Sequence, residues 1–407
     1  MPDMISKHCI VHSYKTEKFK LSISDSIDLV NHKHWSSIVE NHNVYLSKGY
    51  LKSLESTLQT IDFRYVLFYD ITLSPVGVAV VQLHRFKSGE VDFHNLSNGF
   101  SDIVPFNILD KLESRVMLCG NAFSTGENGF LFCNSVPEKL AVENLIHALH
   151  RIRKDEKKSN DQVSLVLLKD FWPKSAEKIL GFEEDRFQQI DIDVNMVLKM
   201  QPTWLTWDDY LSDLTTKFRT RVKGVYKKSA KVSSKSLSAT EIEQYSKDIN
   251  RLYTEVVSKA KFNLGTLKSA TFQSFKQQLP DLFFLTAYFK NDEMIGFSTS
   301  FLDDQDLEAN FVGIRYDLNN EFALYQRMLY DFVKRAIELR CSELQLGRTA
   351  EEIKSNLGAE PVKMKLLIKH RNAITNKLMK PFVEAIGPST FAIRKPFKAT
   401  VYEEWIP

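Results

Sequence analysis

A chain of 407 residues exceeds the usual reach of one hydrophobic core, so two domains are expected. With 43% hydrophobic and 26% charged residues it has the makeup of a globular protein, which excludes an intrinsically disordered chain. The net charge of +3 excludes nucleic-acid recognition through whole-molecule electrostatics, so any basic function has to be local.

In chain order, the opening MPDMISKHCIVHSYKTEKFK is broken repeatedly by charged residues and lacks the apolar stretch of a secretory signal. No apolar run is long enough to cross a bilayer, so a cytoplasmic protein without membrane insertion is expected. Arg64–Asp70 and Val76–Leu83 read as paired strands across a turn at Leu73–Pro75. Glycines in GNAFSTGENGF, Gly120–Phe130, fit a hairpin turn at Gly126–Gly129 or a ligand loop. Phe130–Asn134 reads as a strand, and Ser135 with Glu138 has capping-box spacing at the start of a helix over Glu138–Lys154. A short strand, Val163–Leu168, and a helix, Lys174–Leu180 ending at Gly181, follow. Ile190–Leu198 alternates Ile190, Ile192, Val194 and Met196 against polar neighbours, as a half-buried strand does.

KMQPTWLTW, Lys199–Trp207, marks the clearest boundary, with Pro202 as the interruption and Thr206/Asp209 at capping-box spacing. The expected domains are therefore residues 1–200 and 201–407. Trp207, Tyr210, Leu211, Leu214, Phe218, Val222 and Val225 recur at helical intervals, which predicts an amphipathic, basic helix over 207–231. Leu282–Phe289 and Met294–Phe301 form a second hairpin, then come a strand at Leu307–Gly313 and a helix from about Glu321 to Leu339. Glu343–Leu346 and Ala350–Leu357, ending at Gly358, repeat the strand and helix of the first half. The order of elements is thus doubled, with roughly forty extra residues in the first half around Arg85–Leu118. Four scattered cysteines, Cys9, Cys119, Cys133 and Cys341, lack CxxC spacing, which fits a reducing compartment rather than a disulfide framework.

Three segments carry a resemblance: Trp207–Lys231, Phe283–Gly313, and LQLGRTAEEIKSNLGAEPVKMKLLI at Leu344–Ile368. Together they resemble proteins in which a Gcn5-related N-acetyltransferase (GNAT) domain is doubled, the Fem-type peptidoglycan aminoacyltransferases and their relatives. The resemblance implies an α/β fold with a mixed sheet, in two tandem acyl-CoA N-acyltransferase-like domains, the first of them degenerate. It implies amide formation between an activated acyl donor, acyl-CoA or aminoacyl-tRNA, and an amine, amino-sugar or peptide acceptor. In such a domain one strand splays from its neighbour to take the pantetheine arm, and the next helix presents free N–H groups to the pyrophosphate. The expected strands are Leu307–Gly313 and Phe130–Asn134. Neither half carries the Gly-rich phosphate turn: the second has IRYDLNNEFALY, the first NSVPEKLAVE.

Glu308 and Asn310 share one face of their strand by period two, so Glu308 is a candidate general base with Asn310 beside it, or both belong to an ordinary polar face. Gly313, Tyr325, Gly347, Arg348 and Thr349 are candidate substrate or cofactor contacts. Arg348 suits phosphate or carboxylate recognition at a strand end. The plainer alternative makes Thr349 with Glu352 a capping box and Tyr325 a core residue. Lys217–Lys235 holds eight basic residues and no acid, so Arg219, Arg221 and Lys223 are candidate contacts to tRNA or another anion, or a solvated helix face. Glu143, His147 and His150 share a helical stripe without the pattern of a metal site. A non-catalytic binding protein that keeps the fold is the rival to a transferase.

Overall fold

The computed structural model describes residues 12–15, 19–39, 43–86, 114–180, 187–259, 265–378 and 391–403. Most of the forty-residue expansion, and Gly181, lie outside the described residues. The chain divides into two compact units: Met1–Ile192 with Lys365–Gly387, and Asp193–Met364 with Pro388–Pro407.

In unit 1 the strands are β1 (His12–Lys15), β2 (Lys20–Ser24), β3 (Ile61–Tyr69), β4 (Pro75–Phe86), β5 (Ser114–Cys119), β6 (Phe130–Phe132) and β7 (Val163–Phe171). The helices are α1 (His32–Val39), α2 (Lys48–Thr57), α3 (Glu138–Lys158) and α4 (Pro173–Leu180). Then β8 (Gln188–Lys199) crosses from unit 1 into unit 2.

Unit 2 continues with α5 (Trp207–Asp213), α6 (Thr216–Lys228), β9 (Ser233–Ser236), α7 (Ala239–Gln244), α8 (Ser246–Val257), α9 (Ser269–Gln278), β10 (Phe283–Lys290), β11 (Glu293–Asp303) and β12 (Asp306–Ile314). It goes on with α10 (Tyr316–Phe322), α11 (Leu324–Glu338), β13 (Glu343–Gln345), α12 (Glu351–Ser355) and the start of β14 (Glu360–His370). α13 (Ala373–Leu378) falls in unit 1 and α14 (Ala399–Glu403) in unit 2. No helix among the described residues is long and apolar enough to cross a membrane.

Each unit has a mixed sheet with the same order of pairings. In unit 1, β2-β3-β4-β5 are antiparallel neighbours and β5 pairs β7 in parallel. In unit 2, β9-β10-β11-β12 are antiparallel and β12 pairs β13 in parallel. The strand after each parallel pair comes from the other half of the sequence: β14 lies on β7, and β8 lies on β13. Hydrophobic alternation predicts β8 as a strand but cannot say which sheet it joins, and the strand β14 is missed by it.

This pairing corrects one expectation. The counterpart of β12 in unit 1 is β5, not the strand at Phe130–Asn134. Among the described residues β6 pairs only with β4, and it packs Phe132 where Gly77 leaves room. The expected capping box at Ser135/Glu138 is also replaced: Pro137 is the N-cap of α3 and supplies no side-chain bond.

The core of unit 1 sets Val66, Phe68, Val81 and Met117 of the sheet against Leu145, Leu149 and Ile152 of α3. In unit 2 one face of the sheet, with Met196, Leu198, Leu307 and Leu344, packs on Tyr210, Phe218 and Val222 of α5 and α6 and on Leu329 and Val333 of α11. On the other face Tyr253, Phe272 and Phe275 of α8 and α9 meet Phe297, Phe301 and Phe311.

The helix expected over 207–231 is two helices. Thr206 and Asp209 do form the predicted capping box for α5. Leu214 then turns extended, bridges Phe397, and breaks the helix before α6. Helical spacing alone could not reveal a break that coincides with a bridge to a residue far along the chain.

Candidate functional site

In unit 2 the parallel ladder of β12 and β13 runs only from Asp306/Glu343 to Glu308/Gln345. β13 then continues along β8, with Leu346 N–H donating to Met196 O (2.8 Å) and Met196 N–H to Gly347 O (3.1 Å). β12 bends away. Against β11, Ala309 opposes Ser300 and Val312 opposes Ser298, so Asn310 and Phe311 together face Thr299. Such a bulge kinks the strand that carries the extra residue. Thr299 holds it, its hydroxyl accepting from Phe311 N (2.9 Å) and donating to Phe311 O (3.2 Å). The two strands therefore part just beyond Glu308.

Cross-strand partners share a face of the sheet. One row is Asp306, Glu343 and Lys199; the next is Glu308, Gln345 and Val197, with Asn195 two residues before Val197 on the same side. The alternate residues Leu307, Leu344 and Leu198 fill the core on the opposite face. Glu308 is 6% exposed and Asn195 fully buried, so neither lies on a solvated outer surface. Asn195 donates to Gln345 Oε1 (3.1 Å), and its own Oδ1 accepts no hydrogen bond among the described residues. A buried acceptor in that state favours a hydrogen-bond donor placed beside it. Burial holds the Asp306 carboxyl above the usual range against the Gln345 side-chain bond. Burial and then the Asp306 charge raise Glu343, with Lys199 opposing.

The sequence reading singled out Glu308 and Asn310 but passed over Asp306, Glu343, Gln345 and Asn195. The signal for Asp306 was present, since DLEAN alternates from it. Nothing local could bring Asn195 to the same row.

Gly347 follows β13 at φ +71°, and Thr349 and Ala350 are left-handed too, at +64° and +53°. The expected Thr349/Glu352 capping box is not made: Ala350 is the N-cap of α12, without a side-chain bond, and Glu352 pairs with Arg394. The turn is held from inside by Lys354, 3% exposed, whose ammonium donates to Gly347 O (3.2 Å) and Arg348 O. Burial lowers the Arg348 guanidinium to about 10. It also lowers Lys354 to about 7, against the opposing charge of Glu351.

That depression has a pH consequence. Between about 7 and the ordinary lysine value of 10.5 the unfolded chain binds this proton and the folded chain does not. Stability should therefore rise with pH across that window and lose the gain as pH falls through 7. Urea midpoints from pH 6.5 to 9.5 should climb more steeply in the native protein than in Lys354→Met. Parallel curves would show that Lys354 is not buried as an amine.

The remaining candidates are spread out. Gly313 is buried opposite Phe297, whose ring a Cβ would meet at 2.2 Å, so the glycine makes room for packing. Tyr325 opens α11 and packs against two core clusters, burial pushing its phenol up. Arg219 caps α5 by donating to Leu211 O, Ser212 O and Leu214 O. Arg221 reaches Asn356 across the Phe218 ring, while Lys223 is exposed. Among the described residues no three His, Cys, Asp or Glu side chains could hold a metal ion.

The helix expected from Glu321 is interrupted by Ala323 at φ +48°, which separates α10 from α11. At the start of α11 the amide of Tyr325 is already taken by Asn319 Oδ1 (2.9 Å). The start of α10 carries Asp317 paired to Arg315. A cradle that is capped and acidic does not fit the pyrophosphate of coenzyme A.

No protein-family model and no curated protein matches the chain. Solved structures do. A crystal structure of FemX superposes with a TM-score of 0.55 at 11% identity, over 86% of this chain and 98% of that one. L-PGS from Bacillus licheniformis gives 0.46 at 9%, over 82% and 95%. A tandem GNAT protein from the clavulanic acid biosynthesis pathway gives 0.45 at 9%, over 80% and 87%. The fold is a mixed α/β architecture like that of FemX.

Proposed function

We propose that this chain is a tandem pair of GNAT-like domains that forms an amide, moving an acyl or aminoacyl group from an activated donor to an amine. The observation that carries the reading is the parting of β12 from β13 beside the buried carboxylate of Glu308. An amine seated there attacks the acyl carbonyl carbon; the C–N bond forms as the bond to the leaving group breaks. Glu308 takes the amine proton and returns it to the leaving oxygen or sulfur, which departs as the alcohol or thiol and leaves the carboxylate regenerated. In this reading Asn195 Oδ1 and Gln345 orient the amine N–H groups, and Arg348 holds an anionic part of donor or acceptor. The chemistry is assigned to unit 2 because in unit 1 the β5–β7 ladder continues to the end of β5, at Cys119/Leu168.

The capped start of α11 favours an aminoacyl ester such as aminoacyl-tRNA over acyl-CoA as donor. It also gives the non-catalytic reading its one support. Incubation with charged tRNA or acyl thioesters and an amine acceptor, read by mass spectrometry, decides between them. An amide product is expected; no product and no binding of either donor class would sink the transferase reading.

The basic run is tested separately. Lys223, Lys227 and Lys228 are exposed on α6, whereas Arg219 is committed to α5. Reversing the three lysines to Glu should weaken tRNA binding and make its salt dependence shallower by about 0.7–0.9 per lost phosphate contact. An unchanged slope would make the run a solvated surface.

A further inference from the structure

A polar recess lies in unit 2 on the α11 side of the sheet, away from the parting of β12 and β13. It is a cavity of about 220 Å³ between α11 and strands β9, β10 and β11. That is well above the ~30 Å³ share of one water and below the roughly 300 Å³ of a drug-sized pocket. Its wall carries two acids and three cations. Asp331 is fully engaged, accepting from Tyr226 (3.0 Å), Tyr288 (3.1 Å) and Arg327 Nε (2.9 and 3.0 Å). Arg327 spends its charge on that carboxylate, and it also donates to Ser229 (3.2 Å).

Two cations are left over. Lys334 has its ammonium 4.1 Å from the Tyr226 ring centroid and 4.9 Å from that of Trp207, and forms no ion pair among the described residues. Arg335 stacks on Phe284 at 4.6 Å and has one weak bond, to Thr286 Oγ1 at 3.4 Å, again with no ion pair among the described residues. Glu338 is the other acid, exposed at the rim where solvent screens it. Ser298 and Ser300, 4% and 2% exposed, add hydroxyls to the lining; Ser298 is 3.4 Å from Tyr288 Oη. Two cations without an ion pair among the described residues, beside hydroxyl donors in a recess this small, match a compact dianion better than a carboxylate.

We propose that this recess is a binding site for a phosphate monoester, held by Arg335 and Lys334 with Thr286 and Ser300. It is independent of the transferase reading. The test is calorimetric titration of the full chain at fixed ionic strength with inorganic phosphate, glycerol 3-phosphate and acetate. Saturable binding of phosphate is expected, tighter for glycerol 3-phosphate if the site takes an ester and equal if it takes the free ion; acetate should bind at least tenfold more weakly. Arg335→Gln should weaken phosphate at least tenfold, and Ser300→Ala a few-fold. Lys139→Gln, exposed on α3 of unit 1, should leave phosphate binding unchanged. Should Arg335→Gln fold poorly by near-ultraviolet dichroism, Lys334→Gln serves in its place with the same expected loss. Absence of saturable phosphate binding, acetate binding as tightly as phosphate, or a folded Arg335→Gln or Lys334→Gln with native affinity overturns the proposal.

Discussion

Glu308→Gln should lower turnover by two to four orders of magnitude, about 3–5 kcal/mol of barrier, with whichever donor supports reaction in the native protein. The substitution keeps the shape and hydrogen-bonding capacity of a side chain that is 6% exposed, so the denaturation midpoint should scarcely move. Only the basic carboxylate is removed. Arg348→Lys keeps the charge but loses the planar fork, and it should act mainly on KM. Steady-state kinetics on the two variants separate the roles. Turnover within threefold of native in Glu308→Gln would leave the proton to another group, and the raised carboxyls of Asp306 and Glu343 would be next in line.

The largest loss of stability is expected in unit 1, at Arg115. This residue is 4% exposed on β5 and meets Asp62 (2.7 Å), Asp161 (2.8 Å) and the buried Glu156. Glu156 also accepts from Arg64 (2.6 Å). Arg115→Leu leaves the buried Glu156 with Arg64 as its remaining ion-pair partner and should cost about 3–5 kcal/mol, because removing one member of a buried ion network costs far more than the pair itself contributes. Adding Glu156→Leu should then recover much of that loss. Urea unfolding, with hydrogen exchange at the β5 amides, measures both. If the double variant is as unstable as the sum of the singles, packing rather than charge dominates there.

Much of the fold is legible locally. The hairpins β3–β4 and β10–β11 follow from alternating strand residues around short polar turns, and they fold with Gly77 opposite Phe68 and Gly296 opposite Tyr288. The Thr206/Asp209 cap is also local chemistry: two side chains three residues apart satisfy each other's amides. Caps failed where tertiary contacts supplied something else. Glu352, the expected partner of Thr349, pairs instead with Arg394.

The sequence by itself determined that this is a mixed α/β chain, because hydrophobic period and turn chemistry act over a few residues. It also placed Glu308 and Asn310 on a polar-alternating strand. Only the tertiary structure decided that β8 and β14 join the sheets of opposite halves, and that β5 rather than β6 is the counterpart of β12. Only it brought Asn195 and Gln345 to Glu308, and Lys334 and Arg335 to the hydroxyls of β10 and β11. The reason is the same each time: strand partners are chosen by register and packing between residues distant in the chain, and local pattern carries no record of that choice.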